Sequence, residues 1–364
     1  MADLQIVDLS KHYDGVSAVD GVSLDVPSGE FVVILGPSGC GKTTTLRCIA
    51  GLESVDAGSI LIDGNDVTNL PPRDRDVAMV FQNYALYPHM TVADNIGYPL
   101  RMKKLQKKEV EERVTEITTL LGIKHLLSRR PRQLSGGEQQ RVALGRAIVR
   151  KPKVFLMDEP LSNLDAKLRL YTRAELKKLQ EQLGVTTVYV THDQAEALAL
   201  ADRIAIMNKG KVLQYDTPQN IYGRPKNAFA AGFVGNPPMN IIRASITRTN
   251  GRISLSSSHF DYAPSDELCT ALGDRPAGVE VSMGIRPEDI EISKERDSES
   301  VLQAEVYVVE SMGPNVLVDL RMGEQSLKCI CGASTGVRGG ERVWIGFKDS
   351  SVHLFDAQSE EAIA

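Results

Sequence analysis

The residues best suited to chemistry lie in three short runs. Gly36-Pro37-Ser38-Gly39-Cys40-Gly41-Lys42-Thr43 has the spacing GxxxxGK[ST] and directly follows a β-branched run, Phe31–Leu35. Glycines let successive backbone N–H groups turn toward phosphate oxygens, and a helix opening at Lys42 adds the positive end of its dipole. In such a cradle Lys42 reaches the β and γ phosphates, Thr43 ligates Mg²⁺, and Ser38, Gly39, Cys40, Gly41 and Thr44 complete the wall. In the second run the strand-like Val154-Phe155-Leu156-Met157 ends in Asp158-Glu159. Asp158 would hold Mg²⁺ through its water shell, and Glu159 would act as general base toward an attacking water. The third run, Leu134-Ser135-Gly136-Gly137-Glu138, gives Ser135 and Glu138 capping-box spacing before an amphipathic helix with Val142, Leu144, Ala147 and Ile148 as apolar positions. Its two glycines leave bare N–H groups at a positive helix end, a second anion site that is also a well-capped helix start. Together the runs imply hydrolysis of a nucleoside triphosphate.

An α/β domain with a largely parallel sheet is needed to bring the first two runs to one edge. Buried strands are expected at Phe31–Leu35, Val77–Phe81, Val154–Asp158, Thr187–Thr191 and Arg203–Met207. Helices are expected at Lys42–Ala50, Lys107–Leu121, Gly136–Arg150, Ala166–Leu183 and Gln194–Ala201. The long, mainly helical interval between the strands at Val77 and Val154 predicts an inserted helical subdomain at about residues 84–150. After Asn236-Pro237-Pro238 the pattern changes to short alternating strands such as Gln303–Val309, Val316–Leu320 and Arg342–Phe347. This divides the chain into a first domain, 1–235, and a C-terminal region, 236–364, of one or two small β-barrels with a frayed tail from Ala357.

Composition narrows the functions available. With 42 basic and 47 acidic residues the net charge is −5, so no global field draws the chain to nucleic acid. The basic stretch Arg101–Lys108 is followed by Glu109, Glu111 and Glu112 at helical spacings, as a solvated helix face requires. Apolar runs are too short to span a bilayer, and the start Met1-Ala2-Asp3 lacks a secretory pattern, so a cytosolic chain is expected. The five cysteines, with Cys329 and Cys331 one residue apart, fit neither a zinc knuckle nor a CxxC pair and are read as reduced thiols.

The order of these motifs, with Gln82 after the strand at Val77, Ser162-Asn163-Leu164-Asp165 after Glu159 and His192 after the strand at Thr187, resembles the ATP-binding-cassette ATPases over about residues 4–235. The resemblance implies that Tyr13 stacks on adenine and that Gln82 senses Mg²⁺ and the attacking water. It also implies that His192 contacts the γ-phosphate and that Asp165 organises a dimer seam. Two copies would close head to tail, each ATP lying between one chain's phosphate loop and the Ser135, Gly136, Gly137 and Glu138 run of the other. Asn208-Lys209 continues as Gly210-Lys211, so the guanine-reading NKxD pattern is missing. Asp158 follows Lys42 too closely for the coiled coil of the chromosome-maintenance ATPases.

Gly235-Asn236-Pro237-Pro238-Met239-Asn240 and Gly284-Ile285-Arg286-Pro287-Glu288-Asp289 resemble the linker and β-domain of the maltose-type carbohydrate-importer ATPases. The implied fold is a P-loop NTPase cassette with an inserted helical subdomain, followed by an all-β OB/TOBE-like regulatory domain. The implied activity is ATP hydrolysis with Mg²⁺, driving import of a solute, carbohydrate by this resemblance, through two separate membrane permease subunits. The chain would then be a peripheral homodimer at the cytoplasmic face of the cell membrane, and an extracytoplasmic solute-binding protein would be an indirect partner. Glu138 stands where sugar importers often carry Gln, and polyamine, iron, sulfate and glycerol phosphate importers share most of the other motifs. A soluble cassette that couples ATP to a regulatory partner is the alternative from another class.

Overall fold

The computed structural model of the chain describes residues 2–249, 251–296 and 300–364. Two compact units divide it, Met1–Pro218 and Gln219–Ala364. The start at Met1, part of the leader reading, lies outside the described residues.

In the first unit the strands are β1 Leu4–Tyr13, β2 Val16–Val26, β3 Phe31–Leu35, β4 Ala57–Ile62, β5 Asn65–Asp66, β6 Val77–Val80, β7 Val154–Asp158, β8 Thr186–Thr191, β9 Arg203–Asn208 and β10 Lys211–Asp216. The helices are α1 Lys42–Ala50, α2 Val92–Met102, α3 Lys107–Leu120, α4 Gly136–Ile148, α5 Ala166–Leu183 and α6 Gln194–Leu200. Every residue of β3, β7 and β8 is buried, as befits central strands covered on both faces. They form a sheet in the order β10-β9-β3-β8-β7-β6, parallel from β9 to β6, with β10 added antiparallel at the edge. A second, antiparallel sheet, β2-β1-β4-β5, packs its apolar residues into the same core.

This strand order positions the chemistry. β3, β8, β7 and β6 are consecutive neighbours, so the loops after their C-terminal ends lie side by side at roughly the 4.8 Å spacing of a sheet. Those loops carry Lys42, His192, Asp158 with Glu159, and Gln82. The interval between β6 and β7 is filled by α2, α3 and α4. Pro99 lies inside α2, and Thr91 caps that helix by accepting a hydrogen bond from the Asp94 N–H.

The second unit is built around two antiparallel sheets. Its strands are β11 Asn240–Thr249, β12 Arg252–Ser256, β13 Asp261–Tyr262, β14 Glu280–Ile285, β15 Ile290–Ser293, β16 Ser300–Ser311, β17 Asn315–Met322, β18 Gln325–Gly332, β19 Arg342–Phe347 and β20 Val352–Asp356. The sheet orders are β13-β12-β11-β14-β20 and β15-β19-β16-β17-β18. Both sheets send alternate side chains into one core that includes Ile246, Leu255, Met283, Val306 and Ile345.

The compact units divide upstream of the expected boundary: residues 219–235 are held to the rest of the second unit by backbone pairing of Lys226 and Ala228 with the C-terminal tail, by packing of Ala231 with Met239 and Phe355, and by a buried cation. Arg286, 3 % exposed, donates to the carbonyls of Tyr222 at 2.5 Å and Val234 at 2.7 Å, with its guanidinium 3.6 Å from the Tyr222 ring centroid. Replacing Arg286 with Met leaves two carbonyls without their donor. The expected loss is about 2–3 kcal/mol in urea unfolding, partly restored by Lys. An unchanged midpoint would mean that other contacts hold the segment.

The tail from Ala357 is not frayed, contrary to its polar, small-residue composition. The Asp356 N–H donates to the Glu361 carbonyl at 2.9 Å, the Ala362 N–H to the Lys226 carbonyl at 2.9 Å and the Ile363 N–H to the Leu354 carbonyl at 2.7 Å. Backbone pairing of this kind leaves little trace in side-chain type.

Candidate active site

The phosphate loop turns between β3 and α1. Gly41 has φ of +107°, and a Cβ there would lie 2.2 Å from the Ala18 carbonyl oxygen, so only glycine fits. No side chain caps α1, which leaves its first N–H groups for an anion. Lys42 is buried, with its ammonium donating to the carbonyls of Gly36 and Pro37 at 2.9 Å each. Those bonds hold the cation against the loop, where a phosphate would offer it better acceptors. Ser38 and Gly39 are exposed at the tip, Cys40 is buried, and Thr44 is half-buried.

The Thr43 hydroxyl donates to Asp158 Oδ1 at 2.9 Å. Burial holds Asp158 above the usual carboxylate range; the Thr43 hydrogen bond opposes that shift and the charge of Glu159 adds to it. Two hard oxygen ligands, one a buried carboxylate destabilised by its neighbour, suit Mg²⁺ bound with phosphate oxygens and water. The donor set therefore fits the metal expected from the sequence.

Glu159 follows at φ +43°, a left-handed conformation uncommon for a residue with a side chain, and its N–H is held by the Val190 carbonyl at 3.0 Å. Its Oε1 lies 3.0 Å from His192 Nδ1. Ser162 donates to the Glu159 carbonyl at 2.8 Å and receives a long bond of 3.4 Å from Gln82 Nε2; the Asn163 amide donates to the Gln82 carbonyl at 2.8 Å. Gln82, Ser162, Glu159 and His192 thus form one hydrogen-bonded chain.

Ser135 and Glu138 make the full capping box of α4: the Ser135 N–H donates to Glu138 Oε2 at 2.7 Å, and the Ser135 oxygen accepts from the Glu138 N–H at 3.4 Å. These bonds keep the Glu138 carboxyl below its ordinary range. Gly136 and Gly137 pack on the Leu164 and Leu168 side chains; a Cβ on Gly137 would lie 3.0 Å from Leu168. Asp165 caps α5, accepting from the Leu168 N–H at 3.0 Å. The run from Ser135 therefore abuts the segment that carries Asp165 within one chain. Tyr13 lies at the end of β1, 41 % exposed, with the Lys11 ammonium 5.3 Å from its ring centroid.

Several residues outside the motifs support this site. Arg146 of α4 donates to the carbonyls of Ala85 at 2.8 Å and Tyr84 at 2.9 Å, both left-handed residues just beyond Gln82. Arg169 pairs with Asp193 at 3.3 Å. Glu196, 3 % exposed, accepts from the hydroxyls of Tyr189 and Thr191 at the base of the His192 loop. An arginine or glutamate within a helix carries no sequence signature of such a role; only the fold reveals it.

A phosphate cradle and a carboxylate pair on one parallel-sheet edge, with a capped glycine helix start packed on the segment that follows Glu159, define a P-loop ATPase of the ATP-binding-cassette class. The chain belongs to the ABC transporter family, and it continues into the domains that mark the importer ATP-binding proteins. An ABC transporter description matches residues 19–162, a MalK OB fold domain 235–290 and a TOBE domain 283–355. The trehalose/maltose import ATP-binding protein MalK of Thermococcus litoralis is 50 % identical with full coverage of both chains. The oligosaccharides import ATP-binding protein MsmX of Bacillus subtilis and the sn-glycerol-3-phosphate import ATP-binding protein UgpC of Cupriavidus pinatubonensis are each 45 % identical, again with full coverage of both. Among solved structures, the dimeric post-hydrolysis cassette MJ0796 bound to ADP and Pi is 33 % identical, with a TM-score of 0.54, covering 59 % of this chain and 98 % of that one. The expected cassette with a C-terminal OB/TOBE-like domain is borne out.

Proposed function

We propose that this chain hydrolyses ATP to power the import of a carbohydrate through two separate membrane permease subunits, acting as a peripheral homodimer at the cytoplasmic face. The observation that carries the hydrolytic reading is the Glu159 carboxylate 3.0 Å from His192 and one residue beyond Asp158. Glu159 would accept a proton from the attacking water while His192 orients that carboxylate and meets the γ-phosphate. Thr43 and Asp158 would hold Mg²⁺, with Gln82 beside them, and the ion when bound supplies charge neutralisation across the β and γ phosphates. Tyr13 would cover adenine.

The carbohydrate reading is supported by full-length likeness to importers named for a disaccharide and for oligosaccharides. A glycerol phosphate importer at 45 % identity keeps a phosphorylated polyol as the second reading. In either case the solute pocket would lie in the permease subunits; no helix among the described residues of this chain is long and apolar enough to cross a membrane.

Coupling to those chains has a place in the cassette. A groove of about 680 Å³ is lined by Leu52, Tyr87, Tyr98, Met102 and Arg146. Leu52, Tyr87 and Met102 are exposed apolar groups, as an interface core requires. Arg146 joins this groove to the segment after Gln82, so a helix seated there would sense the state of the nucleotide. A photo-crosslinking residue at position 87, in complexes assembled with the permease subunits, is expected to capture one of them. Capture of none would remove this groove from the coupling role.

A further inference from the structure

The C-terminal unit carries a polar pocket of about 220 Å³ that the ATPase reading leaves unused. Three neighbouring strands make its floor. Glu305 of β16 stands in register with Arg321 of β17 on one side and with Arg342 of β19 on the other. The three side chains therefore form a row on one face, with Gln303 two residues along β16 on the same face. His259, from the loop between β12 and β13, closes one end. Its ring lies against Gly323 in the β17–β18 turn, where a Cβ would come within 2.7 Å of the imidazole Cε1. Gly323 also has φ of +58°, so the turn and the close approach of the imidazole require the same residue.

An Arg-Glu-Arg row across strands would be an ordinary surface ion ladder if its members were paired. Here the ladder is open. Although Lys328 pairs with Asp319 at 2.6 Å on adjoining strands, neither Arg321 nor Arg342 forms an ion pair with Glu305 within 4.0 Å. Arg321 instead stacks on Tyr307, 3.3 Å from the ring centroid. Stacking uses the face of a guanidinium and leaves its N–H edge for an acceptor in its own plane.

The donor set selects a ligand with two kinds of group. Two guanidinium forks suit a phosphoryl dianion, which each can bind through paired N–H bonds. Glu305 would repel a bare anion, yet with Gln303 it offers the acceptors that sugar hydroxyls need. We propose that this pocket binds a phosphorylated sugar or polyol. Such a ligand is supplied by a kinase-type reaction, in which the γ-phosphoryl group of a nucleoside triphosphate passes to a hydroxyl of an imported carbohydrate and the nucleoside diphosphate and a proton are released. Its use as a feedback signal rests on the import reading, whereas its binding rests on the pocket alone.

The test is calorimetry on the full chain saturated with Mg²⁺ and a non-hydrolysable ATP analogue, so that phosphate esters cannot report the P-loop. Glucose 6-phosphate is expected to bind at least about ten-fold more tightly than inorganic phosphate or glucose. Arg342→Met is expected to weaken it by about ten-fold or more without altering basal ATPase rate. Arg321→Lys should also weaken it, and Glu305→Gln should narrow the preference over inorganic phosphate. No binding at about 10 mM, equal binding of inorganic phosphate, or indifference to both arginine substitutions in folded protein would each overturn the proposal. None of those outcomes touches the import reading, which fails only if assembled complexes do not couple ATP to transport.

Discussion

Replacing Glu159 with Gln is expected to leave ATP binding intact and to slow hydrolysis by at least about 10²-fold, the usual contribution of a positioned general base. Gln has nearly the shape of Glu, so the left-handed backbone at Glu159 and the bond from its N–H to Val190 should survive the change. What disappears is the proton acceptor, together with the negative charge that adds to burial in holding Asp158 above the usual carboxylate range. Affinity for Mg²⁺-ATP should therefore hold while single-turnover hydrolysis collapses. The measurement is rapid-quench turnover beside equilibrium binding of a fluorescent ATP analogue. Turnover near normal would remove Glu159 from the base role, and loss of binding would mean that its part is structural.

Which elements show in the sequence depends on what each residue does. β3, β7 and β8 are legible because their buried residues form unbroken apolar or β-branched runs, and the chemistry stands at their ends. The capping box is legible because Ser135 and Glu138 have the spacing that makes it. The antiparallel β1 and β2 sheet is far less so. Its register shifts near Leu9 and Lys11, and Asp8 sits at φ +48°, so the alternation that marks a strand is broken. Arg75, Arg146 and Arg286 are harder still. Each is an arginine that gives its hydrogen bonds to carbonyls of distant segments: α1 at Cys48 and Ile49, the stretch after Gln82, and the Tyr222 and Val234 backbone. A carbonyl acceptor can come from any residue type, so the partner leaves no mark in the sequence.

The other large effect is expected in assembly. Glu159→Gln with ATP and Mg²⁺ should shift from monomer to dimer, and Ser135→Arg in the same background should abolish that shift. α4 spans Gly136–Ile148, about 20 Å at 1.5 Å per residue, with Ser135 at its capped start. The Ser135 N–H and hydroxyl are engaged by Glu138, and Gly136 and Gly137 press on Leu164 and Leu168 beside Asp165. Within one chain, then, the glycine run and the Asp165 segment form one packed surface. If that surface receives the γ-phosphate of a second copy, ATP is bonded from both sides and stabilises the dimer by mass action. Glu138 adds a requirement, because its carboxylate brings a negative charge to the helix start that a phosphate would approach. Glu138→Gln should therefore tighten the ATP-dependent dimer, while Ser135→Arg fills the surface and blocks closure. Light scattering over a concentration series reads all three variants. Hydrolysis at full rate by a strictly monomeric chain would refute the shared site, and an unchanged dimer in Ser135→Arg would place the γ-phosphate away from α4.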